Sequence, residues 1–273
     1  MKLTARIPVS VALVVLLGTA TGCNFLKSRD QLTKGIAAFK NAQYEQATNY
    51  FQNAVKLDPS SQDAKLYLAT SYAYQVVPSL MTPENLALAQ KAIDGFQQVL
   101  DKDPNDPDAL KQIASIDRSI EKFDDAKAYE QKVIAVAPNE PEAYYTIGFI
   151  DWYTAYHKNA QVILAADGLT DDGMGNVKMT KAACAKMQAA NTDVVAEGIK
   201  YLTKAIELNP NYDDAMQYMQ LTYRRKADLD CGNDAARKAD LAQADMWTQR
   251  AMGARKENER KKEEKLGGGV TMQ

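Results

Sequence analysis

One histidine, His157, and three cysteines stand among 273 residues, and that scarcity removes whole classes of chemistry. A zinc site needs a second imidazole or a thiol cluster at helical or loop spacing, and His157 has neither. It reads instead as a cation closing a helix, where the C-terminal dipole favours positive charge. Nucleophile elbow, phosphate loop and dinucleotide fingerprint are missing, and Gly267-Gly268-Gly269 reads as a frayed tail. The acidic loop 167–176 fails as a calcium loop. Placing Gly173 sixth puts Gly168 first and Met179 twelfth, so both required carboxylates are lost and a solvated turn is expected. With no acid–base pair or metal constellation, no catalytic residue, metal or cofactor is expected, and the chain does not read as an enzyme.

Excess positive charge is lacking too. Lys and Arg number 33 against 35 Asp and Glu, a formal net charge of −2, which leaves no footprint for nucleic acid. The charged run 255–265 mixes signs and carries Glu257/Lys261 and Arg260/Glu264 at helical spacing, as a solvent-exposed helix does. Long hydrophobic runs are absent as well. The apolar stretch 7–17 is far shorter than the about 20 residues of a membrane-spanning helix. Lys2 and Arg6 precede it and small residues follow it, so residues 1–22 read as an export signal. The string Ala20-Thr21-Gly22-Cys23 resembles a bacterial lipobox. That resemblance implies cleavage before Cys23, acyl chains on its thiol, a linker at 23–27 and a tether to a membrane. Asn24 is not the aspartate linked to inner-membrane retention, so the periplasmic face of the outer membrane is the expected location.

What the chain does have is a proline ladder. Pro104 and Pro138 lie 34 residues apart, while the intervals from Pro59 to Pro104 and from Pro138 to Pro210 are 45 and 72. A helical hairpin of fixed length, lengthened by insertions, accounts for all three. In the first unit, from Ser28 to about Ser61, Gly35, Tyr44, Ala47, Phe51 and Ala54 occupy the small, aromatic and small positions of a packing stripe. The later units repeat it: Leu68, Ala69, Tyr72, Ala92, Phe96 and Val99; then Ile113, Ala114, Phe123, Ala126 and Val133; then Ala143, Ile147, Gly148, Gly198, Leu202 and Ala205; then Ala215, Met219 and Tyr223. Glu130 stands where an aromatic belongs, and Tyr129 beside it is expected to turn inward. The pattern resembles the tetratricopeptide repeat family. It implies an all-α, right-handed α-solenoid of about five hairpins over residues 28–255, followed by a charged helix end and tail at 256–273.

The extra residues fall near 76–83, 157–193 and 227–234, each between the first and second helix of its unit, so they are expected on one rim. A short helical run is expected at 181–190. With Cys23 committed to lipid, Cys184 and Cys231 form an even pair in an exported chain and are expected to be disulfide-bonded.

The family resemblance places the working surface on the concave side, lined by the first helix of each unit. Here that selects Phe39, Tyr74, Lys111, Arg118, Tyr145, Phe149, Trp152, Tyr153 and Arg224, and aromatic and Arg residues are enriched at binding hot spots. No unit carries both the Lys and the Asn of the chaperone-binding carboxylate clamp at their positions, which hold Leu32/Ile36, Leu66/Thr70, Lys111/Ser115, Tyr145/Phe149 and Gln217/Leu221. The expectation is a protein-binding adaptor of the bacterial envelope whose partner is another envelope protein or peptide. The alternative is a homo-oligomeric envelope scaffold.

Overall fold

The computed structural model describes residues 9–175 and 177–267, excepting the side chains of 9–23, 266 and 267. The n-region with Lys2 and Arg6, Asn176 and the tail beyond Gly267 lie outside the described residues. Within them the fold is all-helical, with no strand. The helices run in pairs, α1 (Val9–Lys40) with α2 (Tyr44–Leu57) and α3 (Gln62–Ala73) with α4 (Pro83–Leu100), and α5 (Pro107–Ser119) and α6 (Phe123–Val136) follow in the chain. The fourth pair sets α7 (Pro141–Tyr153), a π-helical segment (Thr154–Ala160) and α8 (Gln161–Ala166) against α9 (Lys181–Leu208). The fifth is α10 (Asp213–Ala227) with α11 (Asp234–Gly267). The chain divides into two compact units, Met1–Ala126 and Lys127–Gln273.

The ladder prolines all close the same turn. In Asp58-Pro59, Asp103-Pro104, Ala137-Pro138 and Asn209-Pro210, the carbonyl before proline accepts from the N–H three residues on, at 3.2, 3.1, 3.1 and 3.0 Å. Proline fits because its fixed φ suits the second turn position and its ring cannot continue the preceding helix. The Asp or Asn that precedes three of them adds a carboxylate or amide oxygen, which accepts from Ser60, Asn105 and Asn211 N–H at 3.0, 3.1 and 3.2 Å. Several helices start on side-chain caps, although α7 and α10 do not. Ser61, Thr82, Asp106, Thr180 and Asn233 each accept from the N–H three residues ahead, satisfying donors that a helix start leaves open.

In the first unit Ala38, Ala47 and Phe51 form a core flanked by Leu32, Ile36 and Tyr67. A Cβ on Gly35 would lie 2.4 Å from the Phe51 ring, so only glycine lets α1 approach α2 this closely. The stripe on α4 closes on Leu100 rather than Val99, which is half-exposed. Glu130 is itself buried, and Tyr129 lies half-exposed under Lys132, contrary to expectation. Helix phase explains it: Glu130 is four residues after Ala126 and three before Val133, both fully buried, whereas Tyr129 is rotated off that stripe.

In the second unit Leu202, Ala205, Ile206, Ala215, Met216, Met219, Ala251 and Ala254 bind α9, α10 and α11 into one core. The 157–193 insertion is organised differently from its expected boundaries. The first helix carries on through the π segment to Ala166, and the second starts at Lys181 and runs unbroken to Leu208. Only 167–180 is loop, and the expected short run at 181–190 is the opening of α9. His157 therefore lies inside a continuous helical stretch, not at a helix end. The π segment is held by buried Asn191, which donates to the Ala155 carbonyl at 2.9 Å and accepts from Asn159 at 2.7 Å. A π turn shifts the backbone ladder by one residue, and Asn191 gives the Ala155 carbonyl a side-chain partner.

Candidate functional site

In the second unit α7 and the π segment carry Tyr145, Phe149, Trp152, Tyr153 and Tyr156, spaced so that all five share one face of the helix. Each ring is half-buried. Tyr218 on α10 packs into the row, with ring centroids 5.8 Å from Tyr145, 4.9 Å from Phe149 and 5.0 Å from Trp152. Tyr212 adds a ring 5.0 Å from Tyr145 and donates its hydroxyl to the Glu142 carboxylate. Burial and that carboxylate together push the Tyr212 phenol above its ordinary range. His157 closes the far end, 4.6 Å from the rings of Tyr153 and Tyr156, with Nδ1 3.2 Å from Gln161 Oε1. Edge and tilted contacts of this kind suit aromatic quadrupoles and fix the rings as one surface.

Beneath the row, Asp151 faces inward. Lys127 Nζ reaches it at 2.6 Å and Glu197 at 3.0 Å. Burial outweighs the lysine and holds the Asp151 carboxyl up at about 7. The network anchors α7 to α9 from the side opposite the rings.

In the first unit Phe39 meets Tyr44 and Tyr74 edge-on at 5.2 and 4.8 Å, and Tyr74 is 56 % exposed. Beside it opens a cleft of about 320 Å³ lined by Tyr74, Val76, Gln112, Ser115 and Ser119. Lys111, paired with Asp108 at 3.2 Å, and Arg118 stand on the same helix, α5. The adjoining loop is locked by buried Asn85, whose side chain bonds Val77 N–H, Val77 O and Leu80 O at 2.8, 2.9 and 2.7 Å.

Arg224 is engaged elsewhere than the ring row. It donates to Gln220 at 3.0 Å and to the Met174 carbonyl at 3.3 Å, and pairs with Asp245. Cys184 and Cys231 form the expected disulfide, joining the opening of α9 to the loop before α11. Two of the insertions thus meet within the second unit. Their junction has its own apolar core of Ala160, Leu164 and Met187.

The loop 167–180 is not a solvated turn throughout. Arg225, 1 % exposed, bonds Asp171, pairs with Asp228 at 2.9 Å, and lies 4.7 Å over the Tyr156 ring. Gly175 at φ +74° lets the loop touch α10, since a Cβ there would lie 2.6 Å from the Arg224 carbonyl. Sequence reasoning missed Tyr156, Tyr212, Tyr218 and this ionic cluster. Tyr156 was within reach, four residues after Trp152. The Asp171–Arg225 pair leaves no local signal across its 54-residue separation.

A family model described as tetratricopeptide repeat matches residues 31–61. Among solved structures, MamA of Desulfovibrio magneticus RS-1, from residue 41 to its end, aligns at 16 % identity over 85 % of this chain and 96 % of its own, with a TM-score of 0.55. A second MamA crystal structure aligns at 16 % identity over 90 % and 97 %, with a TM-score of 0.52. No curated protein sequence matches. At these identities the structural likenesses speak for the fold alone.

Proposed function

We propose that this chain, a tetratricopeptide-repeat protein, is a lipid-anchored adaptor of the bacterial cell envelope that holds a peptide or helix of another envelope protein. The ring row on α7 carries this proposal. A soluble helix places its large apolar side chains on one buried stripe, yet α7 and the π segment after it have a second stripe of five half-exposed aromatics beside the buried Ile147 and Ile150. Rigid rings with polar tips, immobilised at small entropic cost, are what an interaction surface uses.

Replacing Phe149 and Trp152 together with Ala is expected to reduce partner capture by in-cell cross-linking at least about tenfold, while the far-UV circular dichroism stays that of the parent. Undiminished capture by the folded double variant refutes the surface. The anchor rests on the Ala20-Thr21-Gly22-Cys23 string and is tested separately. Cys23→Ser is expected to move the protein from the membrane fraction to the soluble one, because two or three acyl chains bind a bilayer where one holds only marginally.

Self-association is the runner-up. It is favoured by Met246 and Met252, exposed on α11 away from its packed face. Sedimentation velocity across a concentration series separates the two: an adaptor stays monomeric and a scaffold does not.

A further inference from the structure

Neighbouring rings along the α7 row stand 6.5 Å (Tyr145–Phe149), 6.1 Å (Phe149–Trp152) and 5.8 Å (Trp152–Tyr156) apart, tilted by 33°, 41° and 32°. Rings set this way splay instead of stacking face to face, so the half-buried row is corrugated. Tyr218 stands against the middle gap, 4.9 Å from Phe149 and 5.0 Å from Trp152. The gaps on either side of it, Tyr145/Phe149 and Trp152/Tyr156, are seven residues apart in register. That is about 10.5 Å along the helix.

Three peptide conformations compete for such a surface. Strand addition requires a sheet edge, and the described residues contain no strand. A helix laid on the row has its carbonyls bonded within itself, so its flank offers nothing to ring tips that donate. A polyproline II segment repeats every three residues, about 9.3 Å, and bonds none of its carbonyls internally. Proline supplies no N–H, so the backbone of such a segment presents acceptors alone. The row meets it with Trp152 Nε1, which can only donate, and with the hydroxyls of Tyr145, Tyr153 and Tyr156. The polarity matches again at the rings, whose negative faces receive the weakly positive C–H edges of pyrrolidine. The charged side chains of α7 are engaged within the fold: Glu142 accepts from Tyr212, and Asp151 faces Lys127 beneath the row. That suits an uncharged ligand.

Building on the adaptor reading of this surface, we propose that the row holds a proline-rich segment of the partner in the polyproline II conformation. One proline seats in each outer gap, one turn apart, and the carbonyls between them accept from the ring tips.

The test titrates the full chain with capped decaproline, with (Gly-Ser)5 as a flexible control and (Glu-Ala-Ala-Ala-Lys)4 as a helical one. Amide and indole N–H chemical shifts follow the binding. Saturable shifts are expected at 145–156, at Tyr218 and at the Trp152 indole, while the Trp247 indole on α11 stays in place. Decaproline is expected to bind at least about tenfold tighter than either control, and Phe149→Ala to weaken it about tenfold. Trp152→Phe keeps a ring, removes the donor and is expected to weaken it about fivefold; it serves should the first variant unfold. Equal or tighter binding of a control, no saturation with decaproline into the millimolar range, or unchanged affinity in the folded variants overturns the proline-rich assignment. Capture in cells separates that failure from failure of the adaptor reading. Capture that needs Phe149 and Trp152 while decaproline does not bind refutes this assignment alone, and capture undiminished in their double variant refutes both.

Discussion

Burial holds Asp117 at about 6, and Asp151 and Asp228 at about 7, above the ordinary aspartate range, and raises Asp230 as well. Asp125 adds to the rise at Asp117, and Lys122 opposes it. Because the folded value lies above the unfolded one, each favours the folded state fully below about pH 4. That contribution is lost as pH rises through the folded value. The urea midpoint is therefore expected to fall between about pH 4 and 7. Asp117→Asn should flatten that slope and add on the order of 1 kcal/mol of stability at neutral pH, a discount on the about 1.4 kcal/mol per pKa unit that full linkage gives. Arg225 is the opposite case. Arg225→Leu leaves Asp171 and Asp228 buried without their cation and is expected to cost about 3–5 kcal/mol in urea unfolding. A cost below 1 kcal/mol, about that of a surface pair, would show the cluster to be solvated in solution.

Among elements, the disulfide decides how firmly the insertions are tied. It closes a loop of 47 residues, for which chain entropy gives about 4 kcal/mol. Cys184→Ser and Cys231→Ser, singly or together, should lower stability by about that amount, and reductant should lower the parent to the same level. The free thiols should be alkylated in the unfolded parent only after reduction. This bridge was legible in the sequence by parity, and the turns at Pro59, Pro104, Pro138 and Pro210 were legible because proline and Asx chemistry acts over three or four residues. The lengths of α7 through α8 and of α9 were read wrongly by counting residues past the repeat period. Better signals were local: only Gly148 interrupts 141–166, and Thr180 stands as an N-cap before Lys181. That Tyr145, Phe149, Trp152 and Tyr153 share one face was legible from their register on a first helix. The partners of Arg224 and Arg225 were not, because a loop's path over a helix is fixed by packing rather than by pattern.

For the molecule as a whole, cohesion comes from neighbouring helices, each unit closing its own core. Leu202→Ala, at a fully buried position, is expected to cost about 2–5 kcal/mol. Hydrogen exchange should show that loss in α9, α10 and α11, while the amides around Ala47 and Phe51 keep their protection. Uniform loss across both units would mean a single cooperative block. The π segment carries a different kind of consequence, one of ancestry. A stretch bonded five residues back instead of four holds an extra residue within the same helical rise, so Thr154–Ala160 has the form of a one-residue insertion that a continuing helix absorbed. Deleting exposed Lys158 would restore the α ladder and leave the residues after it on their present faces, because the wider turn has already taken up the extra residue. Leu164 would still meet Met187 and the insertion would keep its core. A lineage could therefore gain or lose this residue without rebuilding the packing beyond it, at the cost only of the Asn159 and Asn191 contacts within the π segment.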